Sequence, residues 1–339
     1  MLPTLVLQLL LLTNGAGDKA ATTSKAWPVP PAVPLAPTEV KTTSTQWFPW
    51  IGTPQCDGDG NIYWHSGSLN VQELTFVKLL TNGSSVTFHP AGSQSADLDF
   101  ISYYVSHDGD LFVLATERAN YKVLYLLKAS NDSSSFVSTR LDVPDGLDPM
   151  TVNGFAVLPS GGSFLHGYFG REAPKADRGR SYFLEFDALG RLLRRASGQV
   201  SDSVLKDVDK GIVPMPVTPA IGGDGLIYVL GSGRVLALSP SGDVTRTISL
   251  SSPNDGYDVP FDLRAAGPRL LLTWSKSVAA RSHLETEYEL LDALTGEVLR
   301  LYRPTQTKEM LVCFTGNNLI FDGGSKAGTN IKLLTAPAN

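Results

Sequence analysis

Apolar residues in this chain come in short runs of four to eight, cut by Gly, Asp, Asn and Ser, and helical spacing is hard to find. The cleanest stretch, GDGLIYVLGSGRVLALSPSGDV (223–244), holds a tight turn, an apolar strand, a glycine turn, a second apolar strand and another turn. Short β-prone runs bounded by turn formers read as antiparallel strands. The turn-plus-strand core recurs as DGNIYWHSG (59–67), DGDLFVLAT (108–116), SGGSFLHGYF (160–169), DGLIYVLGSG (224–233), AGPRLLLTWS (266–275) and TGNNLIFDGG (315–324).

Around each copy the pattern extends the same way. An apolar run precedes it, as in DFISYYVS (99–106) or VNGFAVLP (152–159), and a third follows, as in KVLYLLKAS (122–130) or YELLDALTG (288–296). A fourth closes the unit, as in DVTRTISLS (243–251) or EVLRLYRPT (297–305). Four antiparallel strands, repeated six times at intervals on the order of 50 residues, predict an all-β, six-bladed β-propeller, the closed ring removing exposed sheet edges. The last unit has only three strands, ending in NIKLLTAPAN (330–339). Its fourth is expected from the other end of the chain, where PTEVKTTST (37–45) is β-prone and otherwise unpartnered. The predicted propeller therefore spans 37–339.

Composition agrees with one large β domain: 42% hydrophobic and 18% charged, with 32 Gly and 22 Pro, in a 339-residue chain that can bury a sizeable core. A net charge of −5 offers no general attraction for nucleic acid or an anionic membrane. The apolar stretch Leu2 to Leu12 is too short to span a bilayer and suits a signal-peptide core, with small residues at Gly15, Ala16, Gly17, Ala20 and Ala21 for cleavage. Residues 1–21 are read as a signal peptide and 22–36 as a Pro-rich linker, which makes the protein extracytoplasmic, periplasmic or secreted. No integral membrane segment is then expected once the signal is removed. Asn82-Gly83-Ser84 and Asn131-Asp132-Ser133 are glycosylation sequons, relevant in a secreting eukaryote.

The DGxIYV phrase followed by RVxxLxPxG resembles the NHL-repeat type of six-bladed propeller and, more loosely, the gluconolactonase-like propellers. LDALTGEVLRLY is also similar to blades of quinoprotein propellers, although their repeated tryptophan docking pattern is absent. These motifs report on folding rather than chemistry.

Recognised catalytic and phosphate-binding motifs are missing: the chain has no GxSxG, HExxH, P-loop, CxxC or EF-hand loop. The five histidines, His65, His89, His107, His166 and His283, are scattered and not at ligand spacing. Cys56 and Cys313 each lie six residues before the first apolar residue of a second strand, at an inner-strand core position in blades one and six. Two buried thiols are preferred to the alternative, a disulfide that would lock the ring, because equivalent Cα atoms on neighbouring inner strands are expected beyond the ~7 Å limit for bridging.

The resemblance implies a ligand at the axis, on the face formed by the approaches to each first strand and by the connections between second and third strands. In register, those approaches carry Trp50, Asp99, Asn153, Asp258 and Glu309. Asp99, Asn153, Asp258 and Glu309 are hard oxygen donors suited to Ca²⁺ or another divalent cation, or else hydrated polar side chains at a channel mouth. On the same face, GREAPKADRGR (170–180) and SKSVAARSHLETE (275–287) stand out as long connections beside GSG (231–233). They bring Arg171, Arg178, Arg281 and His283 to the rim, among other cations, a bias suited to an anionic or carbohydrate-like partner.

Two functions remain in view. One is an exported binding or scaffold module acting through its long-loop face, without a cofactor, its partner an unknown protein, glycan or small ligand. The alternative is a metal-assisted, lactonase-like hydrolase with Asp258 or Glu309 as general base.

Overall fold

The computed structural model describes residues 29–35, 39–46, 54–66, 70–89, 97–129, 136–144, 147, 151–170, 173–200, 218–231, 233–241, 243–253, 260–277, 284–304, 310–323 and 330–338. Residues 1–21, read from sequence as a signal peptide, lie outside them. No helix among them is long and apolar enough to cross a membrane.

Six blades of four antiparallel strands form the ring, with the strands of blades 1 to 5 in sequence order from axis to rim. Blade 1 comprises Gln55–Cys56, Ile62–Ser66, Thr75–Leu79 and Ser85–Phe88. Blade 2 comprises Leu98–Val105, Leu111–Glu117, Asn120–Ala129 and Phe136–Leu141. Blade 3 comprises Val152–Val157, Ser163–Tyr168, Arg180–Phe186 and Leu192–Val200. Blade 4 comprises Ala220–Ile221, Ile227–Gly231, Arg234–Leu238 and Val244–Ser249. Blade 5 comprises Pro260–Ala266, Arg269–Ser277, Leu284–Asp292 and Val298–Pro304. Blade 6 comprises Met310–Phe314, Asn318–Asp322 and Asn330–Pro337, completed by Glu39–Gln46. The six-bladed reading therefore holds.

Continuous apolar runs, rather than alternating ones, follow from burial of both faces of each blade. In the second strand of blade 2, Phe112 and Leu114 join the core shared with blade 3. Leu111, Val113 and Ala115, on the other face, join the core shared with blade 1. Six apolar clusters among the described residues fill the six interfaces between neighbouring blades, so the core is a ring rather than a centre.

The recurrent turn glycine has a conformational cause. Gly60, Gly109, Gly161, Gly225, Gly267 and Gly316, one in each turn between first and second strands, all have positive φ, from 56° to 84°. Gly223 serves differently. Its N–H donates to Gly267 O at 3.0 Å, and a Cβ there would lie 2.9 Å from Gly267 Cα, so this residue lets blade 4 touch blade 5 backbone to backbone.

Ring closure takes place as the sequence predicts. Glu39–Gln46 pairs antiparallel with Asn330–Pro337, Val40 opposite Leu334 and Thr42 opposite Lys332. The linker reading of 22–36 acquires a structured end: Val33–Leu35 pairs in parallel with Val298–Pro304 on the outer edge of blade 5. Leu35 is buried in the core between blades 5 and 6, which explains why a Pro-rich segment stays on the sheet.

The cysteine expectation is corrected. Cys56 and Cys313 form a disulfide, with Cα atoms 5.5 Å apart. The short inner strands of blades 1 and 6 converge at the axis, and this spacing lies within the range a disulfide bridges. The presumed insertion at 275–287 is also largely a hairpin: strands run to Ser277 and resume at Leu284, opposite one another.

Candidate functional site

The inner strands leave an axial cavity of about 1280 Å³. Its walls are tied together by side chains that substitute for missing ladder bonds. Gln55 Nε2 donates to Tyr103 O at 2.6 Å, and Val105 N donates to Gln55 Oε1 at 3.0 Å, joining blades 1 and 2. Arg264, on the inner strand of blade 5, donates through Nε to Asp262 Oδ2 at 2.9 Å. Its Nη2 reaches Pro54 O of blade 1 at 3.3 Å and Leu311 O of blade 6 at 3.4 Å. One guanidinium thus bonds across three blades, which suits its planar, multi-donor geometry.

Asp57, buried beside the first turn of blade 1, accepts from Asn61 N (2.9 Å), Asn61 Nδ2 (2.8 Å) and the Tyr63 hydroxyl (3.1 Å), with Lys78 Nζ at 3.4 Å. Burial first, and the Asp57 charge second, hold the Tyr63 phenol well above its usual range. This is a structural network: each polar atom in it stabilises the turn or the contact with blade 2, where Tyr63 also donates to Gly109 O.

His65 and His166 were scattered in sequence but hold matching positions on the second strands of blades 1 and 3. Both are buried, and burial pushes each imidazole down to about 4, so both rings are neutral at pH 7. His65 lies against Phe100, with centroids 4.5 Å apart, and lines the cavity; His166 stacks on Phe183 at 5.1 Å. The Nδ1 atom of each is buried without a hydrogen-bond partner among the described residues. His89 and His107 are exposed.

A second buried acidic feature sits in blade 5. Trp274 Nε1 donates to Glu289 Oε2 at 2.8 Å, while Glu287 is paired with Arg303. Burial pushes Glu289 up to about 7; the Trp274 bond opposes this and the nearby Glu287 charge adds to it.

The residues singled out from sequence divide sharply. Trp50, Arg171, Asp258, Arg281, His283 and Glu309 lie outside the described residues, as does the Asn131 sequon. Asn153 falls at a register shift in the inner strand of blade 3, between paired Val152 and Gly154. Asp99 is the second residue of the inner strand of blade 2. Arg118 donates to its Oδ1 through Nε (3.1 Å) and Nη2 (2.9 Å), and the Tyr121 hydroxyl donates to its Oδ2 at 3.4 Å. Arg178 donates to Ala173 O at 3.1 Å, inside a turn that folds back on its own blade through buried Phe169 and Ala173. No group of three or more His, Cys, Asp or Glu placed to hold a metal occurs among the described residues.

Sequence reasoning missed the groups that do meet at the axis: Gln55, Asp262, Arg264 and Tyr103. The cavity also takes its turn residues from the first-to-second and third-to-fourth turns, including Gly58, Asp108, Gly161 and Ala188. None of its described lining residues comes from a second-to-third connection. In an antiparallel blade these two sets of turns lie at opposite ends of the strands.

No protein family profile matches the chain, and no curated protein matches it in sequence. Solved structures do resemble it. A putative exported protein from Bacteroides fragilis aligns with TM-score 0.53 and 12% identity, over 90% of this chain and 95% of that one. A gluconolactonase from Xanthomonas campestris aligns with TM-score 0.48 and 12% identity, over 92% and 99%. A calcium-binding regucalcin from Agrobacterium tumefaciens aligns with TM-score 0.46 and 10% identity, over 90% and 95%. What the chain shares with these proteins, gluconolactonase- and regucalcin-like six-bladed propellers among them, is the fold.

Proposed function

We propose that the protein is an exported, non-enzymatic binding module whose ligand enters the axial cavity. The observation that carries this reading is the cavity itself: about 1280 Å³, bordered by six inner strands, with a small number of fixed polar groups. Pockets of this kind, apolar with few oriented polar groups, are where ligands bind, and this one exceeds the usual ~300–1,000 Å³ of small-molecule sites. Export is supported by the signal-like N-terminus, the Cys56–Cys313 disulfide and the like fold of the Bacteroides fragilis protein described as a putative exported protein.

Thermal shift with a small-molecule and peptide library, run in Ca²⁺ and in EDTA, tests the site. Ligands that raise Tm in the native protein should lose that effect in Ser102→Trp, which fills the cavity from the inner strand of blade 2. Hits that ignore this substitution overturn the reading. A Tm rise with Ca²⁺ alone, reversed by EDTA, would instead support the hydrolase alternative with its cation among Asp99, Asn153, Asp258 and Glu309. N-terminal sequencing of protein recovered from periplasm or medium checks export.

A further inference from the structure

A row of polar residues leads from the axis into blade 5. Asp262, Thr273 and Tyr288 are directly opposed on three successive strands, and all three line the cavity. Directly opposed residues share one face of a sheet. Tyr288 belongs to the core between blades 5 and 6, so the row faces blade 6. Arg264, two residues beyond Asp262, lies on the same face. Thr273 is 4% exposed, and its Oγ1 is buried without a hydrogen-bond partner among the described residues. A buried hydroxyl with unmet bonding capacity destabilises a fold, so its presence beside a cavity points to a ligand that meets it.

The ion pair at the head of the row is only partly saturated. Arg264 donates through Nε to Asp262 Oδ2 and through Nη2 to the carbonyls of Pro54 and Leu311. Among the described residues, Asp262 Oδ1 and the two N–H groups of Arg264 Nη1 have no partner. The Arg264 and Asp262 side chains are 13% and 21% exposed, and both line the cavity. An anionic ligand group here would meet Asp262, and a cationic one Arg264. The open positions ask for one donor, to Oδ1, and two lone pairs, for Nη1. That is the inventory of a hydroxyl, and Thr273 lies directly opposite Asp262 with a second one.

The walls around the axis set the rest of the ligand. Phe261 is the unpaired residue at the register shift between Pro260 and Asp262, and Ile101 is its counterpart between Phe100 and Ser102 in blade 2. Bulges of this kind re-aim side chains. Phe100, Ile101 and Phe261 line the cavity and are partly buried, and Met310, 38% exposed, joins them. In a six-bladed ring blade 2 stands opposite blade 5, so apolar groups border the axis from both sides. We infer that Asp262, Arg264 and Thr273 form the recognition end of the axial site, and that its ligand is a hydroxylated aromatic compound, a neutral hydroxyl carried on an apolar ring. The inference rests on the cavity being the binding site. Aromatic rings pack well against Phe100 and Phe261. A saccharide would also satisfy the ion pair, but its remaining hydroxyls would face Phe100, Ile101, Phe261 and Met310. A carboxamide would bring a further N–H for which the pair has no acceptor.

Isothermal titration of the native protein with naphthol, its methyl ether, the matching naphthoate and glucose tests the class. Naphthol should bind saturably, and replacing its hydroxyl by methoxy or carboxylate should weaken binding about tenfold. Glucose should not bind. Two variants test the residues. Thr273→Val removes a hydroxyl that no described protein group uses, so Tm should hold or rise while naphthol binding weakens about threefold. Asp262→Asn leaves Arg264 unopposed, so naphthoate should gain about tenfold relative to naphthol. Equal binding of naphthol and its methyl ether, a lower Tm in Thr273→Val, or unchanged selectivity in Asp262→Asn overturns the inference. If glucose or a library compound shifts Tm in a Ser102→Trp-sensitive way and naphthol does not bind, this inference falls while the cavity reading stands. Failure of every probe to respond to Ser102→Trp removes both.

Discussion

Cys56 and Cys313, 257 positions apart in sequence, are joined with their Cα atoms 5.5 Å apart, and the bond ties the inner strands of the first and last blades. Glu39–Gln46 ties the same two ends at the rim, in blade 6. The ring is therefore closed at its inner and outer radii by different chemistry.

A crosslink over so long a loop removes substantial freedom from the unfolded chain, worth about 3–5 kcal/mol. Reduction, or the double substitution Cys56→Ala with Cys313→Ala, should lower Tm by roughly 5–10 °C. Scanning calorimetry with and without reductant checks this, and an unchanged Tm would show the covalent link to be dispensable.

The two N-terminal strands should separate by truncation. A chain beginning at Glu39 loses only Val33–Leu35 and the buried Leu35, an expected cost of about 2–4 kcal/mol. A chain beginning at Trp47 also leaves the Asn330–Pro337 ladder open and should be unstable or oligomeric. Urea unfolding and light scattering distinguish these outcomes; equal stability of the two truncations would contradict the closure role.

The glycines of GDG (223–225) should differ in sensitivity. Gly225→Ala meets only backbone strain, since φ is 75° and a Cβ there finds open space, so about 1–2 kcal/mol is expected. Gly223→Ala must also push blade 5 away from blade 4, and should cost more, with disorder spreading to Gly267. Paired denaturation curves and amide exchange at the blade 4–5 contact provide the comparison.

Buried titratable groups set opposing pH dependences. His65 and His166 are depressed from 6.5 to about 4, so the unfolded state binds more protons in that interval. Their stabilising contribution is present above pH 6.5 and is lost as pH falls towards 4, by about 3 kcal/mol each as an upper figure. Glu289 is raised from 4.5 to about 7, so the folded state binds more protons between those values and stability falls as pH rises through them. Glu289→Gln should gain stability relative to the native protein as pH goes from 5 to 8, while His166→Phe should flatten the acid limb. Denaturation midpoints measured from pH 4 to 8 read both slopes.

The blade count and the closing strand were legible because each depends on local pattern: turn glycines, apolar runs, and a last unit one strand short. The disulfide was not, because spacing located both cysteines on inner strands but said nothing of how closely those strands converge. Val33–Leu35 was hidden among prolines, its pairing decided by Leu35 reaching a core built from distant residues. Gln55 and Arg264 gave no motif at all; their roles come from backbone groups of other blades, brought near only by ring closure. The aspartates and arginine that line the cavity were likewise scattered over four blades, so no window of sequence displays them.

The closing strand has a consequence for how the protein is made. Glu39–Gln46 leaves the ribosome long before its partner, Asn330–Pro337. In the interval between them the incomplete ring exposes apolar blade faces, a slow and aggregation-prone situation for long-range β pairing. Export of an unfolded chain would defer this contact to the compartment where Cys56 and Cys313 can also be oxidised, so that assembly of the rim and locking of the axis happen in the same place.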